Sequence, residues 1–125
     1  MVDDPDFAAA LAARLAGLRV QFLHRLEGTL ATFGEQLAGR GAEAAPAVLA
    51  DVHAQLHRLA GTGGTFGFPE LSRQARSLEL QAQAWLGAGA AIPPGEWDAW
   101  KAGVLGLRQS VGAAPHRQGD APSRS

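Results

Sequence analysis

The stretch Ala45-Pro46-Ala47-Val48-Leu49-Ala50-Asp51-Val52-His53-Ala54-Gln55-Leu56-His57-Arg58-Leu59-Ala60-Gly61-Thr62-Gly63-Gly64-Thr65-Phe66-Gly67-Phe68 decides how the chain folds. Leu49, Val52, Leu56, Leu59, Gly63 and Phe66 recur at steps of three and four, the spacing of one face of an α-helix. Pro46 is tolerated in a first turn and Gly67 suits the end, so a helix is predicted from about Ala45 to Phe66 and Gly67. Its last turns hold Gly61, Gly63, Gly64 and Gly67, although glycine inside a helix costs roughly 1 kcal/mol relative to alanine. That expense asks for a reason.

The same pattern extends in both directions. Upstream, Phe7, Leu11, Leu15, Leu18, Phe22, Leu26, Leu30, Phe33 and Leu37 form a sustained apolar stripe, opened by Asp3 or Asp4 as N-cap with Pro5 and Asp6 behind it. A continuous helix from Pro5 to Ala38 would be about 51 Å long at the standard rise, so a bend or break is predicted near Gly17 or Gly28. Gly39-Arg40-Gly41-Ala42 closes that element. Downstream, Phe68 and Pro69 start a helix with Leu71, Ala75, Leu78, Ala82 and Trp85 inside, ended by Gly87-Ala88-Gly89. Pro93-Pro94-Gly95 precedes a last helix carrying Trp97, Trp100, Val104, Leu107 and Val111. These aromatics are read first as core, as are Phe66 and Phe68. Short connections make successive helices antiparallel neighbours. The predicted fold is therefore all-α, an antiparallel up-and-down four-helix bundle with an additional N-terminal helix or helix extension, over residues 1–112. The segment 113–125 has Pro, Gly, Ser and charges without a stripe and is expected to be disordered.

Composition narrows the function classes. The 46% hydrophobic and 6% aromatic share favours a Leu, Val and Ala core between close-packed helices. Eleven Lys and Arg against twelve Asp and Glu give a net charge of -1, with no basic cluster of the kind that binds a phosphate backbone, so nucleic acid is not an expected partner. The chain has no cysteine, which is compatible with a reducing compartment. The acidic start and the lack of a long apolar run predict a protein with no secretory signal and no membrane span, located in the cytoplasm. Alanine and glycine richness points to a GC-rich bacterial genome. The initiating Met and loose C-terminal segment suggest a separate protein, and a monomer is expected.

Chemistry converges on His57. With Leu56 and Leu59 turned to the core, His57 falls beside the stripe toward solvent, and Ala60, Gly61 and Gly64 are placed on its side one and two turns on. Small residues there clear access to a ring nitrogen that is nucleophilic at neutral pH. Gly63 and Gly67 are read as packing glycines, Gly63 on the inner side where a neighbouring helix approaches closely. Antiparallel packing through the turn near Gly67 brings Glu79 opposite His57, where its carboxylate can hold the proton on one ring nitrogen. His53 and His57, four apart, also have the spacing of a metal pair, with Asp51 and His24 as further donors, but no residue at a supporting interval completes a site. No metal is expected.

These residues resemble the histidine-containing phosphotransfer (HPt) family of two-component phosphorelays. The family pattern is met by His57, Leu59, Gly61, Gly63, Gly67, Leu71, Leu78 and Glu79, and the Gly64 to Phe68 run is similar to the HPt domain of chemotaxis histidine kinases. The resemblance implies that His57 accepts a phosphoryl group on Nε2 from a sensor or hybrid histidine kinase or from a receiver-domain aspartate. It would pass the group to the aspartate of a response-regulator receiver. The chain would be a carrier and not an enzyme with its own turnover. It would have no cofactor, the Mg²⁺ being expected on the receiver. The expected docking surface is His53, Arg58, Ala60, Gly61 and Gly64. Where the family usually has Lys, three residues after the histidine, this chain has Ala60; Arg58, Arg73 and Arg76 are the cations that can substitute. Two other readings are a phosphorylation-independent adaptor that binds receivers, and a purely structural bundle whose glycines only permit close packing.

Overall fold

The computed structural model describes residues 5–89 and 91–112, and among them there is no strand. The elements are α1 (Pro5–Leu37), a 3-10 turn (Ala42–Ala44), α2 (Ala45–Thr65), α3 (Pro69–Ala88), α4 (Pro94–Leu105) and α5 (Leu107–Gly112). The all-α bundle predicted from the stripes is what the structure holds. The expected Asp3 or Asp4 cap and the 113–125 segment lie outside the described residues.

Each junction has a local chemical cause. At the end of α2, Gly67 takes φ +89°. The Phe68 N–H reaches the Gly63 carbonyl at 2.8 Å, and the Gly67 N–H reaches Gly64 at 3.2 Å. This paired Schellman closure satisfies carbonyls that the helix leaves open. Pro69 then opens α3 at once, so α2 and α3 lie antiparallel across a very short turn. Gly67 is thus a capping glycine more than a packing one, since it requires left-handed backbone. Gly89 ends α3 the same way, at φ +66°, its N–H on the Trp85 carbonyl. Arg19 of α1 reinforces the first turn, donating from Nε to the Phe66 carbonyl at 3.0 Å.

The core runs from Phe22, Leu26, Leu30, Phe33 and Leu37 of α1 to Val52, Leu56 and Leu59 of α2, Leu71, Ala75 and Ala82 of α3, and Trp97, Trp100 and Val104 of α4. Phe22 stacks on Phe66 and Phe68 at centroid distances of 5.1 and 5.7 Å, sealing the end of the bundle where α2 turns into α3. At the opposite end Trp85, Trp97 and Trp100 cluster, with Trp97 and Trp100 stacked at 5.3 Å. Trp97 Nε1 donates to the Arg40 carbonyl and Trp100 Nε1 to the Leu78 carbonyl, each at 3.0 Å. Each buried indole thereby has a partner for its polar edge.

Two expectations need correction. No break occurs at Gly17 or Gly28: α1 is one uninterrupted helix of 33 residues. A glycine lowers helix propensity but does not break a helix unless another packing draws the chain away, and neither glycine has a neighbour within 4 Å of where a Cβ would stand. As a result every residue from Pro5 to Gln21 is exposed, and the first half of the stripe is not part of the core. The last helix, in turn, is divided at Gly106 into α4 and α5. That offset still places Leu107 in the core, 1% exposed, and lets Arg108 hold both carboxylate oxygens of Glu27 on α1, at 2.7 and 2.8 Å.

Candidate functional site

His57 stands midway along α2, between Leu56 and Leu59, which are both buried. Its own side chain is 63% exposed. The ring nitrogen Nδ1 lies 2.7 Å from Glu79 Oε2 on α3. An ionised carboxylate only accepts, so this contact places the proton on Nδ1 and the lone pair on Nε2. Glu79 itself is 3% exposed, the one buried charged side chain among the described residues. A buried carboxylate is retained only with partners. Here they are His57 and Arg76, whose Nη1 donates to Oε1 at 3.3 Å; His53 Nε2 lies near, 3.9 Å from Oε2, beyond hydrogen-bond distance.

The side chains named from the sequence separate into three groups. His57, Glu79 and Arg76 come together, with Arg76 half exposed at the edge of the pair. Gly61 and Gly64 lie exposed on the His57 side of α2, and Arg58 is exposed on the flank toward α1, beside Phe22, Arg25 and Thr62. Arg73 turns away to pair with Glu70 in the first turn of α3. Hydrogen bonding from Gln74, together with Arg73, holds the Glu70 carboxyl below its usual range.

Ala60 and His53 do not stand where the docking surface was expected. Ala60 is 5% exposed. At 100° per residue it lies about 60° from His57 on the Leu56 side, and α3 covers that side. Ser72, which no sequence signal singles out, donates to the Ala60 carbonyl at 2.5 Å and locks the two helices there. His53 is largely tucked in, its side chain 26% exposed and its Nε2 buried without a hydrogen-bond partner.

The glycines divide by what surrounds them. A Cβ on Gly63 would meet the Ser72 backbone nitrogen at 3.3 Å and the Phe68 carbonyl oxygen at 3.4 Å, so the bare backbone is what lets α3 come close. Around Gly61 nothing lies within 4 Å. Packing therefore does not explain that residue, and Gly61→Ala should stabilise the fold by about 0.5–1 kcal/mol through helix propensity alone. Urea unfolding followed by circular dichroism measures this; a loss of stability would mean that packing does require the glycine. The open space beside His57 is a surface on which a partner's backbone or loop can rest without meeting a side chain.

No curated protein and no solved structure matches the chain. The family model described as Hpt domain matches residues 6–110. With an exposed histidine on one bundle helix held by a buried glutamate on the next, and this match over most of its length, the chain belongs to the Hpt domain family, the histidine phosphotransfer domains of phosphorelays.

Proposed function

We propose that His57 is the phosphoacceptor of a relay in which this chain receives a phosphoryl group from a histidine kinase or a receiver aspartate and delivers it to a receiver aspartate. The observation that carries this reading is the 2.7 Å contact between Nδ1 and buried Glu79 beneath an exposed ring. The Nε2 lone pair attacks phosphorus, and the bond from phosphorus to the donor's oxygen breaks. The electron pair leaves with that oxygen. The imidazole keeps its Nδ1 proton and takes on positive character, which Glu79 offsets. Transfer to the receiver reverses these changes. The protein's own part is to present and orient the nucleophile, while the receiver contributes Mg²⁺ and most of the charge stabilisation. On this reading the chain is a carrier without turnover, working in a bacterial cytoplasm.

Ala60 leaves no cation three residues after the histidine. Arg76 takes that part, since its guanidinium already shares the Glu79 carboxylate with His57 and remains half exposed. Arg58 flanks the docking face, and Arg73 is engaged by Glu70. Arg76→Ala should slow transfer by about 3- to 10-fold, because a half-exposed guanidinium is worth less than a buried one. Arg73→Ala should leave the rate unchanged. Single-turnover transfer from a labelled receiver compares the two; equal effects would remove Arg76 from the role.

Incubation with phosphorylated receivers tests the function itself. The label should move to this chain and be acid-labile and base-stable, as a phosphoramidate is. A receiver-binding adaptor would associate without taking label, and a structural bundle would do neither.

A further inference from the structure

His53 precedes His57 by one turn of α2, about 6 Å along the axis and about 40° round it. Its side chain is 26% exposed, and its Nε2 is buried without a hydrogen-bond partner. Burying a polar nitrogen unpartnered costs free energy that an apolar side chain of similar size avoids. Packing alone therefore does not account for a histidine here. The acid within reach of the buried nitrogen is Glu79, its Oε2 at 3.9 Å and its side chain 5% exposed. Away from bulk water, the attraction between a charge and an N–H dipole is weakly screened.

We propose that His53 is a positioning residue of the phosphoacceptor site, its Nε2–H holding the Glu79 carboxylate in the orientation that His57 needs. The inference rests on the reading of His57 as phosphoacceptor. A lone pair on His53 Nε2 would face the lone pairs of an ionised carboxylate, whereas an N–H there is attracted to them. The neutral Nε2–H tautomer and the imidazolium both supply that N–H. Two histidines one turn apart thus address the same oxygen with opposite nitrogens, His57 from Nδ1 at 2.7 Å and His53 from Nε2 at 3.9 Å.

Glu79 needs the second group because of how it is held. Arg76 Nη1 donates to Oε1 at 3.3 Å from within α3, and among the described residues the hydrogen bond on Oε2 comes from His57, which is 63% exposed. An exposed ring is a less fixed anchor than a buried one, and the last torsion of a glutamate is broad. His53 lies deeper between α2 and α3, and its attraction for Oε2 opposes rotation of the carboxylate. A docking role fits less well, since a partner does not reach a buried Nε2.

Single-turnover transfer at saturating phosphorylated receiver tests this in the unaltered chain, His53→Leu, His53→Gln, Glu79→Gln and the double variant His53→Leu, Glu79→Gln. His53→Leu should slow transfer by about 3- to 5-fold, less than the loss of a full hydrogen bond to a charged group would give. Its melting temperature should be no lower and its half-saturating receiver concentration unchanged. His53→Gln, whose amide N–H can stand where Nε2–H stood, should restore the rate. With Glu79→Gln in place, His53→Leu should slow transfer no further, because a residue that acts through the carboxylate then has nothing to act on. Nitrogen-15 shifts of the unphosphorylated His57 ring give a readout independent of transfer. They should move partway toward those of a free ring in His53→Leu and stay in His53→Gln. His53→Met is the second apolar replacement, for the case in which leucine does not fit.

An unchanged or faster rate in His53→Leu, or unchanged His57 shifts, overturns the proposal. So does a glutamine variant as slow as the leucine one, equal slowing with and without Glu79, or an altered receiver affinity. Loss of folding in both apolar variants also overturns it, by making position 53 a packing residue. An unaltered chain that takes no label would overturn the phosphoacceptor reading instead, and the ring shifts would still decide for or against His53.

Discussion

Replacing His57 with glutamine should abolish phosphoryl acceptance outright while leaving the bundle folded. His57 is 63% exposed at the side chain and contributes its ring to no part of the core, so glutamine removes the nucleophilic nitrogen without opening a cavity. Glutamine can still meet the Glu79 carboxylate through its amide N–H, which keeps that buried group partnered. The melting temperature should therefore move by no more than about 4 °C, the shift that 1 kcal/mol gives at a size between the 100- and 150-residue classes. The measurement is intact-mass or radiolabel detection of phosphate after incubation with phosphorylated receivers, alongside thermal unfolding. Label retained by His57→Gln would move the acceptor elsewhere, His53 being the nearest other imidazole. A second check is receiver binding in the variant. An open surface around Gly61 and Gly64 should still be recognised, because docking rests on the surface and transfer on the ring.

The histidine and its glutamate were legible because both depend on quantities the sequence encodes directly. Helical periodicity says which side of α2 His57 occupies. A turn centred on Gly67, ten residues after His57 and twelve before Glu79, brings the two helices into register. Arg76 was only one of three candidate cations with Arg58 and Arg73, and what singles it out is its contact with Glu79 in the structure, Arg73 being held by Glu70. Ala60 shows where this logic ends. It lies about 60° from His57 on the helix, and whether such a residue is open or covered depends on the path of α3, which Ser72 secures through the Ala60 carbonyl. His53 shares His57's helix face, yet is drawn beneath it toward the buried carboxylate.

The first half of α1 is the larger instance. Periodicity identified its apolar face correctly, but a stripe states what must be covered and not what covers it. The expectation of a break at Gly17 or Gly28 rested on the length of the helix alone and not on what its stripe packs against. The structure keeps the helix whole and leaves Phe7, Leu11, Leu15 and Leu18 exposed. The tryptophan contacts were equally out of reach, because a carbonyl such as that of Arg40, 57 positions before Trp97, carries no residue-type signal.

Glu79→Gln should slow phosphoryl transfer by about 10- to 100-fold, the order of the loss when a hydrogen-bond partner that orients a metal-bound histidine is changed, with little effect on stability. Volume and shape are conserved, and the amide can satisfy the buried site by accepting from Arg76 or His57 through its oxygen, so no cavity or orphaned charge results. What changes is the selection of tautomer. A carboxylate can only accept, which forces the proton onto His57 Nδ1 at 2.7 Å and keeps the lone pair on Nε2. An amide can turn and donate to Nδ1 instead, which puts the proton on Nε2 and removes the nucleophile. The variant also loses the negative charge that offsets the imidazolium character gained as the bond to phosphorus forms. Nitrogen-15 chemical shifts of the His57 ring distinguish the tautomers directly, and single-turnover transfer gives the rate. Unchanged shifts together with an unchanged rate would show that exposure of the ring alone suffices and would reduce Glu79 to a packing residue. A shifted tautomer with a slowed rate, at an unaltered melting temperature, would locate the effect in orientation and charge and not in the fold.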